Sequence, residues 1–90
     1  MTYKVRLSPH AARDYKKLDP PLKAQLQAAI NILQSDPLDG PKIKRLKGLL
    51  REYYRYRVGD YRLVYTVAQG ERVVYVDYLQ HRKEAYRRIE

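Results

Sequence analysis

An α+β fold is predicted for this chain of 90 residues. Two helix-start signals in the first half predict a helical hairpin, and alternating apolar and polar residues in the second half predict a three-stranded antiparallel meander. An N-terminal strand joins an edge of that meander. The result is a four-stranded sheet with both helices on one face and a short C-terminal helix. The length allows one small core, so 1–90 is taken as a single domain.

The first half combines one short strand with two helices. Residues 3–7 alternate apolar and basic side chains, which is typical of a strand. Ser8-Pro9 and Asp19-Pro20 are strong helix starts, because the side-chain oxygen accepts a hydrogen bond from a free N–H and proline lacks that donor. The spacing of apolar residues then predicts helices over about 9–17 and 20–34.

Three strands and a final helix are predicted in the second half. The strands cover 53–58, 61–68 and 72–79, with turn residues between them. Residues 42–48 are a basic segment that fits either a strap along the sheet or a short helical turn, and residues 83–89 fit a helix. We expect a core that includes these apolar side chains: Leu22, Leu26, Ile30, Leu33, Leu63 and either Val74 or Val76.

The charge of the chain predicts a polyanionic partner. Lys and Arg number 19 against 10 Asp and Glu, giving a net charge of +9. Most of the excess lies after residue 41, with a net +7 over 42–90 and +2 over 1–41. Nucleic acid, a membrane surface or an acidic protein would suit this sign. With no apolar run near the ~18 residues of a membrane span and no signal-peptide pattern, we expect a cytoplasmic protein without a membrane partner.

Composition also limits the chemistry. Cysteine is absent, and the two histidines are His10 and His81. Disulfides, a thiolate nucleophile and Cys-based metal sites are therefore excluded, and two imidazoles make a zinc site improbable. We expect neither a metal nor a cofactor. His10 lies far from the other candidate residues and is interpreted as structural or surface.

Arginines alternate with tyrosines along the first two strands of the predicted meander. All ten aromatic residues are Tyr, and eight of them lie at or after Tyr53. Arg55 and Arg57 share one face of a strand, and Arg62 joins them if the hairpin register allows. Guanidinium groups bind phosphate and tyrosine rings stack on bases, which indicates an RNA-binding face. A solvated basic face without a ligand is the alternative.

His81, Arg82 and Tyr86 come just after the last predicted strand. Imidazole acts as a general acid or base near neutral pH, and an arginine stabilises charge on a phosphoryl oxygen. Tyr86 could stack on a base or relay a proton. The alternatives are an ordinary surface histidine and a tyrosine that attaches the last helix to the sheet.

The segment 56–65 (YRVGDYRLVY) resembles the most recognisable stretch of the RelE/ParE toxin superfamily. The segments 46–49 (LKGL) and 81–86 (HRKEAY) fall where that family has counterparts, and the order of elements is similar over the full length. The RelE-type resemblance implies a toxin of a type II toxin–antitoxin system. Such a toxin cuts messenger RNA in the ribosomal A site without a metal. The ribose 2′-oxygen attacks phosphorus and leaves a 2′,3′-cyclic phosphate.

The resemblance also implies roles for individual residues. RelE-type members have a lysine as candidate base on the strand that carries Arg55 and Arg57 here, and an arginine is a poor base. His81 is therefore the expected proton acceptor. The implied catalytic residues are Arg62, His81, Arg82 and Tyr86. The implied RNA- and phosphate-binding residues are Arg55, Arg57, Lys44, Arg45 and Lys47.

Two other functions stay open. ParE-type members share the fold but act on DNA gyrase, and a non-enzymatic RNA- or ribosome-binding module would need the arginines but not His81. Both branches of the superfamily imply a cognate antitoxin. A basic toxin calls for an acidic, partly disordered antitoxin that folds on binding, and the complex would contact operator DNA through the antitoxin.

Overall fold

A computed structural model describes residues 2–48 and 52–81 of the chain. The elements in chain order are β1 Lys4–Leu7, α1 Pro9–Lys16, α2 Pro20–Ser35, β2 Ile43–Arg45, β3 Tyr54–Val58, β4 Tyr61–Ala68 and β5 Val73–His81. This confirms the predicted α+β class, with its first strand, helical hairpin and meander. The predicted C-terminal helix lies outside the described residues, as do Arg82 and Tyr86.

Both helices begin as the sequence predicts. The Ser8 side chain accepts a hydrogen bond from the Ala11 N–H at 3.0 Å, and Asp19 Oδ1 accepts one from the Leu22 N–H at 3.1 Å. The Ser8 hydroxyl also donates to the backbone oxygen of Asp77 at 2.7 Å. Ser8 therefore caps α1 and attaches the start of that helix to β5.

The sheet has five strands in the order β1-β5-β4-β3-β2, one more than predicted. β1 runs parallel to β5, and every other neighbouring pair is antiparallel. The additional strand, β2, comes from the basic segment that the sequence left undecided. Ile43 pairs with Tyr56 and packs against the core, and Lys44 pairs with Arg55. A strand of three residues is too short for its alternation to stand out among lysines.

The two turns of the meander differ. Gly59, in the turn between β3 and β4, has a φ of 57°, which glycine adopts without steric cost. The turn between β4 and β5 spans four residues, 69–72, where the sequence indicated a turn at Gln69-Gly70. Arg72 has a φ of 56° in this turn, and its N–H donates to the Gln69 backbone oxygen at 3.3 Å.

The core lies between the helical hairpin and one face of the sheet. Its buried members are Ala11, Leu26, Ala29, Ile30, Leu33, Tyr56, Val58, Leu63, Tyr65, Val74, Val76 and Leu79. The predicted core residues are therefore confirmed, except that Leu22, in the first turn of α2, is only half-buried at its edge. In the described part of the chain, no helix is long and apolar enough to cross a membrane.

Tyr65 links β4 to the segment after α2. Its side chain is fully buried, and its hydroxyl donates to the Pro37 backbone oxygen at 2.7 Å. Burial raises the pKa of Tyr65 above its ordinary value. The folded state thus holds this phenol proton more tightly than the unfolded chain. That contribution to stability is fully present below the ordinary pKa of about 10 and is lost as the pH rises beyond it.

Tyr65→Phe should destabilise the protein by about 1–3 kcal/mol, because the buried Pro37 carbonyl would lose its donor. The measurement is urea unfolding at pH 7, followed by circular dichroism.

The matched control is Tyr75→Phe. The Tyr75 hydroxyl donates to Glu71 at 3.3 Å on the exposed surface, so this change should shift stability by less than about 0.5 kcal/mol. Equal effects of the two changes would contradict the role given to the Tyr65 hydrogen bond.

Candidate functional site

Two rows of paired residues bring basic side chains to the sheet face opposite the helices. Arg57 pairs with Arg62, so the register that the sequence left open places both on that face. Arg55 pairs with Lys44 on its other side, which adds a second row. We call the surface formed by Lys44, Arg55, Arg57 and Arg62 the arginine face.

The members of the arginine face differ in exposure. Arg57 is exposed, Arg55 is half-buried and Arg62 is only 3% exposed. Arg57 is therefore the guanidinium of this pair that a phosphate in solution can reach. Arg62 adds positive charge beside it from an enclosed position.

The basic segment around β2 does not lie on one face as a whole. Lys44 is on the arginine face, but Arg45 pairs with Tyr54, whose ring packs against the core. The Arg45 guanidinium carbon lies 5.7 Å from the centroid of that ring. Lys47 is exposed in the loop after β2. Of these three predicted RNA-binding residues, only Lys44 joins the arginines.

His81 lies on the helix-side face of the sheet, at the last position of β5. It pairs with Tyr61, and the two rings meet edge to face with centroids 5.2 Å apart. The preceding residue, Gln80, pairs with Arg62 and is nearly buried. Successive strand residues face opposite sides. The structure therefore brings Arg57 and Arg62 together and places His81 on the other side of the sheet.

The cleft beside His81 is walled by helix α1, and we call it the α1 cleft. Its volume is about 500 Å³, and its lining residues are His10, Asp14, Lys17, Leu18, Tyr61, Leu79 and His81. His10 Nε2 lies 3.7 Å from Asp14 Oδ2. Among the residues that the structure describes, no three His, Cys, Asp or Glu side chains are placed to hold a metal ion.

His10 was interpreted from the sequence as structural or surface, yet it shares the α1 cleft with His81. The spacing of His10, Asp14 and Lys17 was a usable signal, because residues four and seven apart lie on one side of a helix. That signal did not connect them to His81, because a contact between α1 and the end of β5 depends on tertiary packing.

Several tyrosines of the sheet were not singled out as site residues. Tyr75 and Tyr78 of β5 are exposed at 38% and 40%. Tyr53 makes a hydrogen bond with the Asp77 side chain, which raises the pKa of Tyr53. These rings are among the eight tyrosines at or after Tyr53. The alternation of apolar and polar residues along a strand does not tell which of these tyrosines are exposed and which, such as Tyr56, lie in the core.

The chain is a small basic α+β domain, with a helical hairpin on one face of its sheet and arginines on the other. Residues 5–86 match the family model described as the ParE toxin of the type II toxin–antitoxin system parDE. The chain belongs to this family, and the predicted RelE/ParE superfamily is confirmed.

Relatives and solved structures named RelE are similar to the chain over nearly its whole length. A toxin named RelE1 from Methanocaldococcus jannaschii is 32% identical over 89 residues, 97% of this chain and 98% of that protein. A chain of the toxin–antitoxin complex RelBE2 from Mycobacterium tuberculosis is 30% identical with a TM-score of 0.80, covering 91% of this chain and 100% of that one. A chain of the archaeal RelE–RelB complex from Pyrococcus horikoshii OT3 is 27% identical with a TM-score of 0.78, covering 91% and 97%.

Arg57→Ala should weaken binding of a short single-stranded oligoribonucleotide. Losing one phosphate contact should also lower the slope of log affinity against log salt by about 0.7, because fewer counterions are released. Fluorescence anisotropy over a range of salt concentrations measures both effects.

Arg13→Ala is the control, because Arg13 is exposed on α1 in the helical layer. It removes the same charge and should leave the slope unchanged. If both variants lower the slope equally, binding follows net charge and not the arginine face.

Proposed function

We propose that this toxin is a ribosome-dependent endoribonuclease that cuts messenger RNA in the A site without a metal. The pairing of the exposed Arg57 with the enclosed Arg62, on the sheet face opposite the helices, is the observation that carries the proposal. The likeness to proteins named RelE supports it. The 2′-oxygen attacks the adjacent phosphorus, the bond to the 5′-oxygen breaks, and the products carry a 2′,3′-cyclic phosphate and a 5′-hydroxyl.

The arginines supply electrostatic stabilisation in this mechanism. Arg57 makes the first contact with the RNA backbone because it is exposed. Arg55 holds the scissile phosphate, and Arg62 stabilises the charge that develops on the phosphorane. Arg62 is enclosed by the fold, so its guanidinium is oriented before the RNA arrives. Arg82 is proposed to share this role, as the family resemblance implies.

Proton transfer is assigned to His81, which accepts the proton of the 2′-hydroxyl. Because His81 lies on the helix-side face, the RNA has to pass the ends of β4 and β5 to reach both His81 and Arg62. Tyr86 is proposed to stack on a base or to orient the nucleotide. The ribosome holds the RNA in line for attack, an alignment that free RNA rarely adopts.

A ParE-like action on DNA gyrase is the second candidate function, because the matching family model is that of the ParE toxin. A supercoiling assay with purified gyrase, run beside the cleavage assay, separates the two. A third possibility, a ribosome-binding module without catalysis, differs in its dependence on His81. For such a module, His81→Ala would leave both ribosome binding and toxicity intact.

A cognate antitoxin is the proposed cellular partner. Two of the similar solved structures are toxin–antitoxin complexes, and the net charge of +9 favours an acidic chain. A partly disordered antitoxin would fold on the toxin surface and neutralise the arginine face. Contacts with operator DNA would be made by the antitoxin within the complex.

Arg62→Ala should lower the rate of messenger cleavage by about 10²–10³, because it removes one stabiliser of the transition-state charge. The measurement is single-turnover cleavage of messenger RNA programmed in ribosomes, with product ends mapped and their chemistry determined. The same variant should no longer arrest growth when produced in cells.

Arg13→Ala is again the matched control and should cleave at the wild-type rate. Product ends with 3′-hydroxyls, or full activity of Arg62→Ala, would contradict the mechanism. Inhibition of gyrase without messenger cleavage would favour the ParE-like function instead.

A further inference from the structure

Two exposed tyrosines of β5 lie on the sheet face that carries the arginines. Tyr78 pairs with Val64, which pairs on its other side with Arg55. Tyr75 pairs with Thr66, which follows Val64 by two residues on β4. Since residues paired across neighbouring strands point to the same side of a sheet, Tyr75 and Tyr78 share the face of Arg55.

The strand pairing skips Asp77, and this irregularity brings both tyrosines to one face. Tyr75 and Tyr78 are three residues apart, and residues at that spacing point to opposite sides of a regular strand. Because the pairing with β4 skips Asp77, the alternation of side chains along β5 changes at this point. The β4 partners of the two tyrosines are two residues apart, so about 7 Å separates the two positions along the sheet. Bulged strands are frequent beside active sites, where they re-aim a side chain.

A third tyrosine joins them through the Asp77 side chain. Tyr53, just before β3, makes a hydrogen bond with Asp77 of β5, and β4 lies between these two strands. The core fills the helix-side face of β4, so this hydrogen bond crosses β4 on the opposite face. Val64 on that face is 3% exposed although it lies outside the core cluster. We call the surface formed by Tyr53, Tyr75 and Tyr78 the tyrosine patch.

Cations flank the tyrosine patch on two sides. Arg55 and Lys44 continue the row of Tyr78 across β3 and β2. On the other side, Arg6 of β1 pairs with Tyr75 and is exposed. Single-stranded nucleic acid binds to surfaces of this composition, where cations hold the backbone and successive bases stack on aromatic rings.

The carboxylates within the tyrosine patch favour a nucleic-acid base over an acidic protein segment. The Tyr75 hydroxyl donates to Glu71 at 3.3 Å, and Asp77 makes its hydrogen bond with Tyr53. These two carboxylates would repel an acidic side chain laid on the rings. A base carries no charge, so it can cover the rings while its phosphates lie over the cations on either side.

We propose that the tyrosine patch stacks on the bases of the messenger RNA whose scissile phosphate lies at the arginine face. The inference rests on the proposed function and gives the path of the RNA on the toxin. The strand runs from Arg55 across Tyr78 and Tyr75 to Arg6, which holds a further phosphate. The rings contact nucleotides beside the scissile bond and take no part in proton transfer, so they contribute affinity and alignment.

The first test is binding of a fluorescein-labelled oligoadenylate of about eight nucleotides to the full chain, a length within the site sizes of single-strand binding folds. Tyr78→Ala should weaken this binding about 5- to 100-fold, the usual effect of losing one stacked base. The slope of log affinity against log salt should stay unchanged, because no phosphate contact is lost. Arg6→Ala should instead lower that slope by about 0.7.

Two further variants serve as controls. Tyr78→Phe keeps the ring and should bind within about twofold of wild type, since stacking requires the ring and not its hydroxyl. Ile32→Ala removes an apolar side chain that is 48% exposed on α2, in the helical layer, and should bind as wild type does. Equal binding by Tyr78→Ala and wild type would overturn the proposal.

A strand without bases separates stacking from a structural role of Tyr78. An abasic oligonucleotide of the same length keeps the phosphates and removes the groups that stack. Wild type and Tyr78→Ala should therefore bind it with equal affinity. If Tyr78→Ala weakens binding of the abasic strand as much as binding of oligoadenylate, the ring supports the fold of the surface and the proposal is wrong.

The absence of tryptophan from the chain allows a direct optical test. Tyr78→Trp introduces one indole at the tyrosine patch, and its fluorescence should be quenched when oligoadenylate binds. Ile32→Trp places the same reporter on α2 and should show no quenching. Polyglutamate stands in for an acidic protein segment. Quenching of the indole in Tyr78→Trp by polyglutamate but not by oligoadenylate would identify the patch as a protein contact and contradict the proposal.

Failure of the inference is distinguishable from failure of the proposed function. On ribosomes, Tyr78→Ala should cleave messenger RNA more slowly than wild type at low toxin concentration and approach the wild-type rate at saturation, and Tyr78→Phe should restore the loss. If wild-type protein cleaves and Tyr78→Ala matches it at every concentration, the inference alone is wrong. If wild-type protein does not cleave at all, the proposed function is wrong, and the oligoadenylate and abasic titrations still decide whether the patch stacks on bases.

Discussion

The register between β4 and β5 is the constraint on which the rest of the structure depends. β4 is the central strand, and its pairing with β5 sets Arg62 beside Gln80 and Tyr61 beside His81. A shift by one residue would exchange the two faces along the whole strand. The pairing skips Asp77 of β5 where it passes from Val64 to Tyr65 of β4. Val76 and Leu79 of β5, three positions apart, therefore both face the core.

Successive residues of β3 alternate between the core and the opposite face of the sheet. Tyr56 and Val58 fill the core, while Arg55 and Arg57 between them carry charge on the other side. Burial of the tyrosine and valine stabilises the strand in its place. Arg55 stands opposite Lys44 and Arg57 opposite Arg62, so the packing of the core fixes the register that brings these cations together on the other face.

The helices and strands were predicted accurately wherever a short stretch of sequence determines the structure by itself. The Ser8-Pro9 and Asp19-Pro20 starts and the alternation of 61–68 act within a few residues, and each element formed where it was expected. Side-chain periodicity is also local, so Arg55 and Arg57 were placed on one face. β2 was missed because pairing with β3, rather than its own three residues, makes it a strand.

The candidate site was harder to predict because its residues meet through register and packing. The side of the sheet that Arg62 occupies depends on the hairpin, and the position of His81 depends on where β5 ends. The contact between His10 and the β5 end depends on how α1 packs after its cap at Ser8. Membership of a family does not locate the site residues in space, because proteins that share one fold differ in function. Their chemistry depends on which side chains meet at the site. The register places Arg62 and His81 at neighbouring positions of β4 and β5 but on opposite faces of the sheet, a relation that the local sequence around either residue does not reveal.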